Sequence, residues 1–164
     1  MKTRIRPNVL VVLMPLCLLL GGCRPSETSP SPISPDGLPY AYAMDECAPW
    51  DGAATLITLS ADTLRGGGPT GPEVPRPYVW ISVYRPANTL GGERFEIDQE
   101  RIAGAMRCTV EETPCDPSTS GFVEFRMREA DGSLPGVFRL QFEDGSTVEG
   151  GFRATWYDRR VLCG

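Results

Sequence analysis

The side chains able to do chemistry in this 164-residue chain are arginines, carboxylates, hydroxyls and aromatics, because histidine is absent and the one lysine is Lys2. Neither Ser–His–Asp nor Ser–Lys activation of a nucleophile can be assembled in the body of the chain. Two groupings remain. Arg126, Arg128, Arg139 and Arg153 fall at alternate positions of segments that read as strands. The register that keeps apolar residues on one face places Glu124, Gln141 and Glu149 in one row of the other face. Arg126, Arg139 and Gly151 form the next, then Arg128, Val137 and Arg153. Guanidinium forks suit carboxylate or phosphate, so the four arginines are candidates for an anion site. The simpler reading is a solvated face on which Glu–Arg diagonals offset the Arg126–Arg139 repulsion. The second grouping is Tyr78, Trp80 and Tyr84, alternating with Val79, Ile81 and Val83. Both faces of that strand are covered, which is the simpler reading, or it presents an aromatic stripe for a sugar ring or a partner's groove. Trp50 and Trp156 read as core or rim.

Paired carboxylates, the machinery of glycoside hydrolysis, are formally available. Glu111 and Glu112 stand beside Cys115, and Glu124, Glu143 and Glu149 fall on the polar sheet face. On so acidic a surface the pattern has almost no specificity. Asp144, or Asp98 with Glu100, could serve a calcium ion, but EF-hand spacing is absent and Asp144-Gly145 is better explained as a turn. Gly66, Gly68 and Gly71 satisfy GxGxxG. A dinucleotide site needs a helix to start there, and Pro69, Pro72, Pro75 and Pro77 oppose one. Residues 65–77 therefore read as a mobile or interaction loop. No cofactor and no metal is expected.

The elements that must position these residues show a period of two rather than 3.6. Strands are expected at Thr55 to Ser60, Tyr78 to Arg85, Arg94 to Asp98, Ile102 to Val110, Gly121 to Glu129, Gly136 to Glu143 and Thr147 to Tyr157. Gly and Pro punctuate them, and no segment has the pattern of an amphipathic helix. The expected fold is all-β: an antiparallel β-sandwich or small barrel of about seven strands. For the last hairpin, a three-residue loop over Asp144 to Ser146 pairs Phe142 with Val148 and Phe138 with Phe152. The preceding turn then aligns Val123, Phe125 and Met127 with Phe142, Leu140 and Phe138, which makes one apolar block.

The N-terminus has the three parts of a secretory signal: cationic Lys2, Arg4 and Arg6, the apolar run Val9 to Leu20, and small residues before a cysteine. The run is about half of the roughly 20 residues that span a bilayer. Leu20-Gly21-Gly22-Cys23 resembles the lipobox of bacterial lipoproteins; the resemblance covers residues 1–23 only. It implies that residues 1–22 are a removed signal peptide and that Cys23 carries acyl chains, palmitate among them, that anchor the chain to a membrane. Each buried CH₂ contributes about 0.8 kcal/mol, so two or more chains hold durably. Arg24 stands where Asp would signal inner-membrane retention, which points to the outer membrane of a cell envelope that has one. Residues 23–44, rich in Pro and Ser, form a tether. Residues 45–164 form the β domain.

All 21 acidic residues lie after Cys23, whereas three of the 16 cationic ones precede it. So acidic a chain is a poor partner for nucleic acid. With Cys17 cleaved away and Cys23 lipidated, Cys47, Cys108, Cys115 and Cys163 remain, an even number that reads as disulfides in an exported protein. Three connectivities are possible; Cys108–Cys115 as a local clip and Cys47–Cys163 as a tie between the domain's ends are favoured. Their spacings fit no zinc site. These observations lead to a non-catalytic binding or interaction module at a membrane surface, facing an envelope protein or glycan. The alternatives are a lipocalin-like carrier with an apolar cavity and a carboxylate-based glycan hydrolase.

Overall fold

The computed structural model describes residues 37–68, 71–97, 102–109, 114–159 and 161–163. The signal segment, Cys23, Asp98, Glu100, Glu111 and Glu112 lie outside them. Ten strands follow in order: β1 Tyr40–Cys47, β2 Ala53–Ser60, β3 Arg65–Gly68, β4 Gly71–Glu73, β5 Tyr78–Val83, β6 Arg94–Ile97, β7 Ala103–Cys108, β8 Asp116–Phe125, β9 Leu134–Phe142 and β10 Thr147–Trp156. Seven of them neighbour one another as β8-β7-β5-β2-β1-β10-β9, and β9 pairs back onto β8. The sheet is thus a closed seven-stranded barrel, which leaves few open edges. Every pairing around it is antiparallel except β1 with β10, which is parallel. The short β6 continues the sheet where β8 outruns β7: β7 meets Asp116 and Pro117, and β6 meets Gly121 to Glu124.

The interior is built by alternation. Ile57, Leu59, Val79, Ile81 and Val83 point inward from β2 and β5 and are at most 2% exposed. Phe125, Phe138 and Phe152 fill the lumen from the opposite wall; Phe125 and Phe152 meet edge-on with centroids 6.0 Å apart. Gly136 makes room for this packing, since a Cβ there would sit 2.5 Å from Phe152 Cζ. The two disulfides join Cys47 to Cys163 and Cys108 to Cys115, the connectivity favoured from spacing. The longer one fastens the C-terminal tail to the end of β1.

Four expectations need correction. Residues 40–44, assigned to the tether, are the first half of β1, bonded to β2 on one side and β10 on the other. Their Tyr-Ala alternation carries no aliphatic signal, although Ala43 is fully buried in the core. Strand β8 begins at Asp116 and ends at Phe125, since residues 126–133 turn: Glu129 N–H donates to Ser133 O at 3.0 Å. Met127 is consequently 72% exposed rather than core. The parity of the hairpin registers was right and the offsets wrong. Val123 pairs with Phe138, and Val148 with Leu140. The last hairpin does turn through three residues, but over Glu143, Asp144 and Gly145, with Phe142 N–H bonded to Ser146 O. That loop type wants its left-handed residue last, and Gly145, at φ 79°, supplies it. Finally, residues 65–77 contain the β3–β4 ribbon instead of an unstructured loop.

Candidate functional site

Because Val79, Ile81 and Val83 take the inside of β5, Tyr78, Trp80 and Tyr84 must face out. Pairing extends this outer face across four strands. One row runs Tyr42, Thr58, Trp80, Met106; the next runs Met44, Leu56, Ser82, Gly104. The outside of a barrel is normally wet, yet β2 is buried on both faces from Ala54 to Ser60. Two features cover it. The ribbon lays Pro72 and Val74 over the strands, and the C-terminal tail, held by the Cys47–Cys163 disulfide, brings Arg159 alongside. Arg159 Nη1 donates to Glu46 Oε2 at 3.2 Å, and its guanidinium lies so close over Gly71 that a Cβ there would be 3.1 Å away.

Between these covers and the sheet lies a groove of about 360 Å³, lined by the apolar Met44, Leu56, Pro72, Val74, Trp80 and Met106 and by the polar Glu46, Thr58, Ser82 and Arg159. Two polar atoms of this lining have no hydrogen-bond partner: Thr58 Oγ1 and Trp80 Nε1. Thr58 is fully buried and sits directly opposite Trp80 in the β2–β5 ladder. Buried polar groups are nearly always bonded, so two orphans side by side call for an explanation. At the mouth, Glu46 and Arg159 cancel each other's charge.

The aromatic stripe divides. Tyr78 is buried against Trp80, their centroids 5.0 Å apart, with its hydroxyl 3.8 Å from Cys115 Sγ. Tyr84 belongs to a separate pair, edge-on at 4.9 Å to Trp50, which is 55% exposed. Only Trp80 lines the groove.

The four arginines are not brought together. Arg139 faces Glu149 across the β9–β10 ladder, 3.3 Å apart. Arg153 is held by Glu129, Asp131 and Ser133. Arg128 lies beyond β8, donating to Gly132 O and stacking over Trp156 at 4.8 Å. Arg126 also lies past the strand end, exposed. Glu124 is reached by Arg94, at 3.8 Å, rather than by any of these. The expected rows depended on the β8–β9 offset; with the true offset Arg139 and Arg153 take separate ion pairs, while Arg128 binds a carbonyl and a ring.

A second concavity, about 340 Å³, surrounds an arginine that sequence reading passed over. Arg107 Nη2 donates to Asp116 at 3.1 Å and Asp144 at 3.0 Å, Nη1 donates to Ser146 at 2.7 Å, and the guanidinium lies 4.3 Å over Phe142. Bonds from the Ser146 hydroxyl and backbone N–H, reinforced by Arg107, hold the Asp144 carboxyl down to about 2. Asp144 therefore serves as an acceptor that pins the β9–β10 turn to β7, and Asp116 ties the start of β8 to the same arginine. Asp144 is a turn residue, as expected.

Thr58, Met44, Met106, Glu46 and Arg159 were missed by sequence reading. The one available signal was a hydroxyl at Thr58 inside the apolar run Leu56 to Leu59, which marks a strand buried on both sides. The Gly66, Gly68 and Gly71 pattern falls in the β3–β4 ribbon, where no helix follows. Comparison with protein-family models, with curated proteins and with solved structures gives no match, so the groove's chemistry has to be read from this chain alone.

Proposed function

We propose that the chain is a non-catalytic binding module, displayed from a cell envelope by lipid on Cys23, and that the outer-face groove is its binding site. The observation that carries this reading is the pair of orphaned polar atoms, Thr58 Oγ1 and Trp80 Nε1, in a recess of mixed apolar and polar lining. Ligand sites combine such walls with a few convergent polar groups. A protein that left both atoms unpaired for no purpose would forfeit about 1–3 kcal/mol for each. A carrier with its ligand inside the barrel has less support, because Phe125, Phe138 and Phe152 touch one another in the lumen. Glycan hydrolysis has less still. Of its candidate carboxylates, Glu124 and Glu149 are ion-paired with Arg94 and Arg139, and Glu111 and Glu112 lie outside the described residues.

The test is native mass spectrometry of the chain released from membranes of its own cells, beside Cys23→Ala and the double variant Thr58→Val with Trp80→Phe. The parent should fractionate with membranes and carry a small adduct that the double variant lacks. A Cys23→Ala chain still carrying acyl mass would remove the anchor. A folded parent without adduct, whose captured protein partner persists in the double variant, would move binding away from the groove.

A further inference from the structure

The two disulfides differ in what surrounds their sulfurs. Cys108 is fully buried, and Cys115 Sγ is flanked at 3.8 Å by both the Tyr78 hydroxyl and Arg76 Nη2. A thiolate attacking Cys115 would have to expel the Cys108 sulfur as an anion into the core. Burial raises a thiol's pKa, which makes that sulfur a poor leaving group. Cys163, by contrast, is exposed, and Cys47 is half-buried. The carboxylate beside them, Glu46, accepts from the Cys47 N–H and is paired with Arg159, so it adds little repulsion to an approaching anion. We infer that Cys47–Cys163 is a thiol-exchange site that accepts electrons from a dithiol, and that it acts as a reducible fastening of the C-terminal tail. The inference does not depend on what the groove binds. In the first step a thiolate of the dithiol attacks Cys163 Sγ, the S–S bond breaks, and Cys47 departs as a thiolate that takes a proton from water. The second sulfur of the dithiol then attacks the mixed disulfide and releases Cys163 in the same way. The donor ends as a disulfide, and the pair has gained two electrons and two protons. Beyond Trp156, the tail's other polar contacts among the described residues are Tyr157 N–H to Ala43 O, at 2.8 Å, and the partly exposed Arg159–Glu46 pair. Single solvated contacts of this kind hold weakly, so the tail is ordered while the disulfide is closed and frays once it opens.

The test exposes the full chain in lipid nanodiscs to dithiothreitol without denaturant. Freed thiols are capped with N-ethylmaleimide at intervals and located by peptide mass spectrometry. Cys47 and Cys163 should be capped about tenfold faster than Cys108 and Cys115. In the chain reduced at that pair alone, hydrogen exchange should be faster at the Tyr157 amide and unchanged at the Ile81 amide of β5. If both pairs are capped together, reduction follows global unfolding, and Cys47–Cys163 is not an exchange site of the native fold. If Cys108 and Cys115 lead, burial of Cys108 gives no protection and the assignment is reversed. If Cys47 and Cys163 lead but Tyr157 keeps its protection, the tail is held by its own contacts and the fastening role fails.

Discussion

The two faces of β2 and β5 put one backbone to opposite uses. Inside the barrel, Ile57, Leu59, Val79 and Ile81 are dry, with no polar atom to satisfy. One residue away on the same strands, Thr58 and Trp80 point outward and each leaves a polar atom unbonded. The ladder hydrogen bonds lie in the sheet plane and are complete whichever side chains project from it, so the pleat lets packing and recognition be specified independently. The inner face carries stability; the outer one spends some of it on two orphaned groups. Closure of the barrel makes the division possible, because the core needs no second sheet laid over the outside of β2.

That contrast can be broken from its strong side first. Phe152→Ala removes a ring packed on Phe125 and Phe138, and should cost about 3–5 kcal/mol in urea unfolding. Replacing Cys47 and Cys163 together by Ser frees the tail and should cost about 4–5 kcal/mol, since 116 residues separate the pair. Because the same tail carries Arg159, this variant should also loosen the groove, read as faster hydrogen exchange at the Trp80 indole. Gly136→Ala forces a Cβ against the Phe152 ring and should cost about 1–3 kcal/mol by the same urea measurement.

A smaller effect probes the Arg107 network. The Asp144 carboxyl is depressed to about 2 in the folded chain against about 3.9 when unfolded. Its contribution is therefore fully present above pH 4 and is lost as pH falls towards 2. Unfolding curves of Asp144→Asn should be flatter over that interval than those of the parent, and the two should run parallel above it.

What the sequence made legible was parity and punctuation. Alternation in residues 78–83 and 136–142 identified the strands and which residues share a side, and cysteine spacing favoured, among three connectivities, the one that forms. Offsets were hidden, because they depend on fits no local pattern records. Gly145 must be the third residue of its turn, and Gly136 must face the Phe152 ring. The Arg126, Arg128, Arg139 and Arg153 face was lost with the β8–β9 offset. β1 was hidden for a related reason: its core position Ala43, although fully buried, carries no large aliphatic side chain to mark a strand. The groove could not be read at all, since it assembles single residues from β1, β2, β5, β7, the ribbon and the tail.

The most direct measurement is the unfolding free energy of Thr58→Val, a swap close in shape that deletes only the hydroxyl's polarity. A buried orphaned hydroxyl costs the fold its desolvation, so the expected variant is as stable as the parent or gains up to about 3 kcal/mol. A loss of more than about 1 kcal/mol would mean that Thr58 Oγ1 has a structural partner, and would contradict the division of labour between the two faces.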